Sequence, residues 1–226
     1  MIKGTYSTKI ILDFIEKNMH RKTFLESEIK YLFKKMGFSI PKSIFIPKGE
    51  DILPVDFKYP LVAKISSSKI ISKSDIKGVR IGIMDDKELI NAIKDLMNLE
   101  SAEGVLVEEL APSGLDVIVG GTIDEQFGPI IMFGLGGFYV ELYKDVAFGL
   151  APLNEDGATW LIKQVKGYKI LEGYRQNPPL DMDSLIKIII TVSEIIATNK
   201  IKEIDLNPVR LYPEGLIILD AKMQVL

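Results

Sequence analysis

The order of short apolar runs and amphipathic stretches limits the fold of this chain more than any other feature. Runs typical of buried strands, such as Pro60–Ile65 and Gly104–Leu110, alternate with helical patterns near residues 85–100 and 183–199, but not as a regular strand–helix–strand repeat. A regular repeat would predict a doubly wound parallel sheet, so the irregular order favours α+β lobes. The turn residues at Ala111–Gly114 mark the best boundary between two lobes.

The first forty residues carry two helical patterns. Apolar residues at helical spacing predict a first helix over residues 8–18. Thr23 and Glu26 have the spacing of a capping box, in which two side chains satisfy the first free N–H groups of a helix. We therefore predict a second helix that starts there, runs to Met36 and stops at Gly37.

Composition excludes several classes of chemistry. The chain of 226 residues has 28 basic and 31 acidic side chains and a net charge of −3, which argues against a nucleic-acid partner. It contains no cysteine, so disulfides, thiolate metal sites and thiol nucleophiles are excluded. The single histidine, His20, excludes multi-histidine metal sites. Chemistry must therefore use carboxylates, amides, lysines, backbone amides and a bound cofactor.

The hydropathy pattern predicts a cytoplasmic protein with no membrane partner. No apolar run approaches the roughly 20 residues that a membrane-spanning helix requires. The first residues also lack the apolar stretch and cleavage site of a secretory signal.

Lys64 stands near the end of a strand whose other residues are Val, Ala, Ile and Leu. A lysine in such a strand is costly unless its ammonium reaches an anion or extends past the strand end into water. Both interpretations stay open on this residue alone. Because methionine preserves the packing of the buried stem, we expect Lys64→Met to leave stability unchanged or to raise it.

Gly134–Gly137 follows an apolar strand and contains three glycines. Glycines allow consecutive backbone N–H groups to converge on an anion, so the segment is a candidate phosphate-binding turn. It lacks the last glycine of a dinucleotide-binding fingerprint, and a strained turn explains the same residues equally well.

Residues Glu203–Pro208 alternate polar and apolar residues, so Glu203, Asp205 and Asn207 should project from one face of an extended segment. A turn followed by a second strand, ending at Asp220, would bring Asn207 and Asp220 side by side. An amide oxygen and a carboxylate, completed by water and phosphate oxygens, are a usual way to hold Mg²⁺. The alternative is an edge hairpin with a solvated polar face.

These features occur in an order that resembles the ATP-grasp β subunit of ADP-forming acetyl-CoA synthetases, relatives of succinyl-CoA synthetase. The resemblance extends over nearly the whole chain from about Phe24. It is carried by Lys64, the hairpin of residues 104–122, Gly128–Gly137, Lys144–Asp145, Ala151–Leu153, Glu172–Arg175 and Glu203–Pro208.

The resemblance implies an α+β ATP-grasp fold, two α+β lobes with the nucleotide between them. The expected division is an N-terminal helix (residues 1–22), an N-terminal lobe (residues 23–111) and a C-terminal lobe (residues 112–226).

The resemblance also implies a nucleotide site and a catalytic segment. Its nucleotide-binding residues would be Lys64 on the α- and β-phosphates, Gly78 in a phosphate loop, Glu108 to Leu110 beside adenine, Asp116 on the ribose, and Gly136 and Gly137. The magnesium ligands would be Asn207 and Asp220. The catalytic residues would be Glu203 and Asp205, and Asp205 matches the acidic residue that steadies a phosphohistidine.

The family reaction joins an organic acid to CoA at the expense of ATP, or runs in reverse to make ATP. The implied cofactors are ATP or ADP and Mg²⁺. CoA enters only through a CoA-binding α subunit, which also supplies the phosphohistidine, and an α2β2 hetero-oligomer is expected. Magnesium and a lysine neutralise the charge that develops on phosphate.

The sequence departs from the family at three positions, one of which is Lys77, where the family usually has the first glycine of Gly-Gly-Val. Where the family has a loop histidine thought to accept the phosphoryl group, this chain has Ser72. Where the family has an arginine, this chain has Gly149. Serine is a poor reversible phosphoryl carrier, so two alternatives stay open beside the ligase subunit. One is a non-catalytic nucleotide-binding or scaffold subunit. The other is a different ATP-grasp carboxylate ligase that needs no histidine.

Overall fold

The computed structural model describes residues 5–50, 56–69, 73, 75–137 and 144–226. The helices are α1 (Tyr6–Lys17), α2 (Glu26–Lys35), α3 (Asp86–Met97), α4 (Glu155–Lys163), α5 (Tyr168–Leu171) and α6 (Met182–Ile196). The strands are β1 (Ser43–Pro47), β2 (Leu61–Ser66), β3 (Val79–Ile83), β4 (Gly104–Glu109), β5 (Leu115–Asp124), β6 (Gly128–Leu135), β7 (Val146–Leu150), β8 (Ile201–Leu211), β9 (Leu216–Ile218) and β10 (Lys222–Val225). Within the described ranges, no helix has the length and apolar content needed to cross a bilayer.

The chain divides into two compact units. The smaller unit consists of Thr23–Glu28 and Pro41–Pro112. The larger unit consists of Met1–Lys22, Ile29–Ile40 and Ser113–Leu226.

The smaller unit is built on a four-stranded antiparallel sheet with strand order β1-β4-β2-β3. One face of the sheet forms the core with α3. Alternate residues of β2 and β4 face this core, among them Ala63, Ile65, Val105 and Val107. The remaining residues of these two strands therefore point to the opposite face. That face carries the buried charges described below.

The larger unit is built on an antiparallel sheet with strand order β10-β8-β5-β6-β7, in which β9 also pairs with β8. The helix α6 packs on β5, β6 and β8, and α1 and α4 pack on α6. Its buried residues include Ile188, Ile189 and Val192, each with 0% exposure, because its apolar residues cover more than one stripe of the helix. With α6 on one face, the other face of the sheet is available for polar side chains.

The start of α2 differs from the predicted capping box at Thr23 and Glu26. The helix begins only at Glu26, and the carboxylate of Glu28 accepts a hydrogen bond from the Leu25 backbone N–H at 2.8 Å. Glu26 turns to Lys64 instead. The spacing predicted a helix start correctly to within three residues, but the carboxylate that closes it comes from Glu28.

Residues 1–22 and 29–40 belong to the larger unit, which differs from the expected helix over 1–22 and lobe over 23–111. Their hydrogen bonds explain the difference. The buried Lys30 ammonium donates to the Leu219 carbonyl at 2.9 Å, and the Ile218 N–H donates to the Ser39 carbonyl at 3.0 Å. The Val225 N–H donates to the Lys22 carbonyl at 2.9 Å.

We predict that Gly104→Ala destabilises the protein. A methyl group at Gly104 would lie 2.6 Å from the Phe45 ring and would also meet the Ile46 carbonyl, so β1 and β4 would have to separate. The expected loss is about 1–3 kcal/mol, the usual range for overpacking. Urea unfolding measures it. Gly149→Ala is the matched strand-glycine control, because its nearest contacts would be at an ordinary 3.6 Å, and an equal loss in both variants would contradict the argument.

Candidate functional site

A cavity of about 250 Å³ lies on the sheet of the larger unit. A row of register partners crosses it: Asp205 on β8 lies opposite Gly120 on β5, which lies opposite Met132 on β6, which lies opposite Phe148 on β7. All four residues line the cavity. A methyl group at Gly120 would lie 3.5 Å from the Met132 methyl and 3.8 Å from the Asp205 carboxylate, so the missing side chain leaves room between them.

The acidic side of this cavity comes from β8. Glu203, Asp205 and Asn207 line it, while Leu206 is fully buried and Ile204 is 1% exposed. The three polar side chains share one face of the strand, as their alternation predicts. The cavity therefore combines two carboxylates and an amide with the apolar side chains of Met132 and Phe148.

Asn207 and Asp220 lie next to each other. The Asn207 backbone N–H donates to the Asp220 carbonyl at 3.2 Å, and the Asp220 N–H donates to the Pro208 carbonyl at 3.4 Å. The β8–β9 turn thus returns the chain to Asn207, as the sequence predicts. The side chains offer an amide oxygen and a carboxylate, the hard oxygen ligands that Mg²⁺ prefers, so the donor set fits this ion.

The turn that joins β8 to β9 is fixed by Asp181, which precedes α6. Its carboxylate accepts hydrogen bonds from the Ser184 N–H at 2.9 Å and the Gly215 N–H at 2.7 Å. The hydrogen bond from Ser184, followed by that from Gly215, lowers the pKa of the Asp181 carboxyl. A charged Asp181 therefore stabilises both the helix start and the hairpin that carries Asn207 and Asp220.

No cluster of three acidic or histidine side chains that could hold a metal occurs in the part of the chain that the structure describes. The expected magnesium ligands, one amide and one carboxylate, form only part of a coordination shell.

Lys64 is only 8% exposed and reaches two carboxylates. Its ammonium lies 2.8 Å from Glu108 and 2.9 Å from Glu26. Glu108 comes from the neighbouring strand β4, two residues beyond the register partner of Lys64, so the two side chains share a face of the sheet. Of the two interpretations of Lys64, the structure shows the one in which its ammonium meets an anion.

Glu26 and Lys73 complete this cluster, and sequence reasoning missed both roles. The second carboxylate oxygen of Glu26 lies 2.9 Å from the Lys73 ammonium, and both side chains are largely buried. We refer to Glu26, Lys64, Lys73 and Glu108 as the charge cluster. Glu26 has the spacing of a helix-capping residue, so the sequence pattern predicted a local partner and not its ion pair with Lys64. The useful signal was a lysine in an apolar strand, because a buried ammonium requires a carboxylate somewhere.

Gly78 and Leu110, expected at the nucleotide, have backbone partners in the smaller unit. The Gly78 N–H donates to the Lys73 carbonyl at 2.7 Å, and a side chain at Gly78 would collide with Ile65 at 2.5 Å. The Leu110 N–H donates to the Pro60 carbonyl at 3.0 Å. Gly78 therefore closes the loop that contains Lys73.

Asp116, Gly136 and Arg210 form a second group in the larger unit. The Asp116 carboxylate is held by Arg210 in two contacts, Nε at 2.7 Å and Nη2 at 3.0 Å, and hydrogen bonding to Asp116 raises the pKa of Arg210. The Gly136 N–H donates to the Asp116 carbonyl at 2.7 Å. Asp116 is absent from the residues that line the cavity beside Asp205. Sequence reasoning did not identify Arg210.

The glycine segment therefore has a structural explanation for two of its members, Gly136 and Gly137. A side chain at Gly136 would lie 2.9 Å from the Asp116 carbonyl oxygen, so the close approach of two backbones requires glycine there. Gly137 has a positive φ of 60°, which glycine adopts without strain. The turn interpretation accounts for Gly136, whose N–H is engaged within the protein.

The departures from the family pattern at Ser72 and Gly149 differ in what the structure shows. Ser72 lies outside the described residues. Gly149 lies on β7, where a side chain would contact Ile131, Leu153 and Leu161 at 3.6–3.7 Å. Phe148, not Gly149, lines the cavity.

The fold and the site define the class of this protein. The ATP-grasp domain family matches residues 16–225, nearly all of the described structure, and the chain belongs to this family. The expected ATP-grasp α+β fold is thereby confirmed.

The similar proteins define a narrower group. The chain is 37% identical to the β subunit of ADP-forming acetate–CoA ligase I from Pyrococcus furiosus, over 93% of this chain and 96% of that one. It is also 37% identical to ADP-forming acetate–CoA ligase II from Archaeoglobus fulgidus, over 89% of this chain but only 30% of the relative. The chain thus spans nearly the whole of a separate β subunit and under a third of a longer ligase.

A solved structure of an acetyl-coenzyme A synthetase is also similar to this chain. Dinucleotide-forming acetyl-coenzyme A synthetase 1 from Ca. Korarchaeum cryptofilum, in complex with coenzyme A and Mg-AMPPCP, superposes with a TM-score of 0.76 at 35% identity. The match covers 97% of this chain and 100% of that chain, and in that structure a phosphohistidine segment points towards the nucleotide-binding site. The resemblance to ADP-forming acetyl-CoA synthetase β subunits is confirmed.

The charge cluster reverses one expectation and yields a prediction. Lys64→Met should destabilise the protein by about 3–5 kcal/mol, because two nearly buried carboxylates would lose the ammonium between them. The expectation of unchanged or higher stability considered only the packing of the stem. Urea unfolding measures the loss, with Lys87→Met as the control at an exposed lysine. Equal stability of the two variants would contradict the account.

Proposed function

We propose that this chain is the nucleotide-binding β subunit of an ADP-forming acyl-CoA ligase. The observation that carries the proposal is the cavity with Glu203, Asp205 and Asn207 on one strand face and Asp220 beside Asn207. The similarity to a Pyrococcus β subunit over almost its full length supports it. The reaction is the reversible conversion of an organic acid, CoA and ATP into acyl-CoA, ADP and phosphate.

Each expected nucleotide-binding residue keeps its role under this proposal. In the smaller unit, Lys64 binds phosphate oxygens, Gly78 shapes the phosphate loop, and the backbone from Glu108 to Leu110 contacts adenine. In the larger unit, the Asp116 carboxylate, which Arg210 orients, accepts a hydrogen bond from a ribose hydroxyl. Gly136 and Gly137 form a turn near the nucleotide. A carboxylate that is held bidentately by arginine still has lone pairs for a hydroxyl donor, which makes the role of Asp116 chemically consistent.

Asn207 and Asp220 hold Mg²⁺ under the same proposal. When bound, the ion neutralises phosphate charge during phosphoryl transfer. The chain's own contribution is geometric, because the hydrogen bond between Asn207 and Asp220 and the anchoring of the turn by Asp181 fix both ligands before any nucleotide binds.

A histidine from a partner delivers or receives the phosphoryl group. We propose a CoA-binding α subunit as the partner, in an α2β2 hetero-oligomer, with CoA bound only by that subunit. Asp205 accepts a hydrogen bond from the partner's histidine and keeps it oriented, and Glu203 adds negative charge beside it. On this route residue 72 does not carry the phosphoryl group, so serine at that position is compatible with activity.

We predict that Asp220→Ala weakens Mg·ATP binding by about tenfold or more, and Asn207→Ala more mildly, because charged ligands contribute more than neutral ones. Calorimetric titration with Mg·ATP measures both affinities. Glu214→Ala is the matched control, since Glu214 is an exposed acid in the same hairpin. Native thermal stability with unchanged affinity in Asp220→Ala would remove the metal assignment.

We predict that Asp205→Asn lowers acyl-CoA synthesis with a cognate α chain by about 10² or more, the usual cost of losing one preorganised electrostatic contact. Ser72→Ala should leave the turnover unchanged. Steady-state assays of ADP release measure both variants. If Ser72→Ala abolishes turnover while Asp205→Asn is active, the phosphoryl group rests on this chain and direct delivery by the partner is wrong.

A further inference from the structure

One carboxylate in the smaller unit contacts two ammonium groups. Glu26 Oε1 lies 2.9 Å from Lys64 Nζ, and Glu26 Oε2 lies 2.9 Å from Lys73 Nζ. Lys64 belongs to β2 and Lys73 to the loop before β3. We propose that Glu26 is a positioning residue for nucleotide binding, which orients both lysines towards the phosphate groups. This inference rests on the proposed function.

Burial makes these contacts decisive for where the lysines point. The side chains of Lys64, Lys73 and Glu26 are 11%, 10% and 3% exposed. An ammonium at such a depth gives up most of its hydration and must recover it from fixed partners. The carboxylate of Glu26, held at the first residue of α2, therefore sets the orientation of both lysine side chains.

The charge cluster orients its two lysine ammonium groups, although the cluster as a whole has no net charge. Its two carboxylates balance its two ammonium groups, so its effect on an anion comes from geometry more than from long-range attraction. A strand lysine that is oriented by a helix glutamate towards nucleotide phosphates is a known arrangement in protein kinases. Here the same carboxylate also holds a lysine of the loop, so two phosphate contacts depend on one residue.

Glu26 and Glu108 have separable roles in this arrangement. Glu108 holds Lys64 from β4 at 2.8 Å. If Glu26 becomes neutral, Lys64 keeps Glu108, whereas Lys73 loses this carboxylate.

Glu26→Gln tests the proposal, with Glu28→Gln as the matched control. Both variants remove one negative charge from the first turn of α2, but the Glu28 carboxylate accepts a hydrogen bond from the Leu25 N–H, whereas Glu26 contacts the two lysines. Calorimetry with Mg·ATP and with adenosine compares nucleotides with and without phosphate. We expect Glu26→Gln to bind Mg·ATP about tenfold or more weakly, the scale of a charge-assisted contact, with adenosine affinity unchanged. Glu28→Gln should match wild type for both.

Limited trypsin digestion gives a second readout that needs no nucleotide. Cleavage after Lys73 should be severalfold faster in Glu26→Gln than in wild type or Glu28→Gln, because the variant loses the Glu26 ion pair that restrains the Lys73 side chain. Lys73→Met added to Glu26→Gln should cause no further loss of Mg·ATP affinity, since the two changes interrupt one contact.

Several outcomes would overturn the inference. Equal loss of Mg·ATP and adenosine affinity would make Glu26 merely structural, and tighter Mg·ATP binding would make it a competitor of phosphate. Unchanged affinity with unchanged cleavage would remove the role altogether. If wild type binds Mg·ATP but Glu26→Gln behaves in one of these contrary ways, this inference is wrong and the proposed function stands. Wild type that binds neither ligand overturns the proposed function and this inference together.

Discussion

The alternation of side chains along each strand is the constraint on which both units depend. A strand in a packed sheet presents successive residues to opposite faces, so one face can be apolar while the other carries charge. In the smaller unit, β2 directs Ala63 and Ile65 to the core with α3 and Lys64 to the other face. In the larger unit, β8 buries Ile204 and Leu206 and directs Asp205 to the cavity. The folding core and the chemistry thus share the same strands.

Each unit pairs charged side chains with opposite charges, and the larger unit also has an acidic strand face. The charge cluster balances two ammonium groups with two carboxylates at 2.8–2.9 Å, so that each buried charge has a counter-charge. Asp116 and Arg210 balance each other directly across neighbouring strands. The acidic face of β8 is accessible to solvent, with Glu203 and Asn207 exposed and Asp205 half-buried. An open acidic face is suited to a cation and to a histidine donor, which is the use that the proposed function gives it.

The sequence predicted patterns within one element better than contacts between elements. Alternation over Glu203–Pro208 predicted the shared face, because it depends only on strand geometry, and the order of motifs predicted the ATP-grasp fold, which the family match confirms. The interpretation of Glu26 as a capping residue was wrong, because capping spacing is local and Lys64 is 38 residues away. The stability expectation for Lys64→Met likewise considered only the packing of the stem and not the two carboxylates that contact the ammonium. Arg210 was missed because its pairing with Asp116 depends on the β5–β8 register, which shifts between Val117 and Val119 and which no local pattern reveals.

The central claim is that this chain exchanges a phosphoryl group with a partner's histidine. The most direct test incubates the chain with γ-labelled ATP, Mg²⁺ and a cognate CoA-binding α chain, and then separates the two chains. The account predicts an acid-labile, base-stable label on the α chain and none on this chain. Nucleotide binding without label on an α chain that accepts label from another active β subunit would contradict it and would favour a non-catalytic nucleotide-binding role.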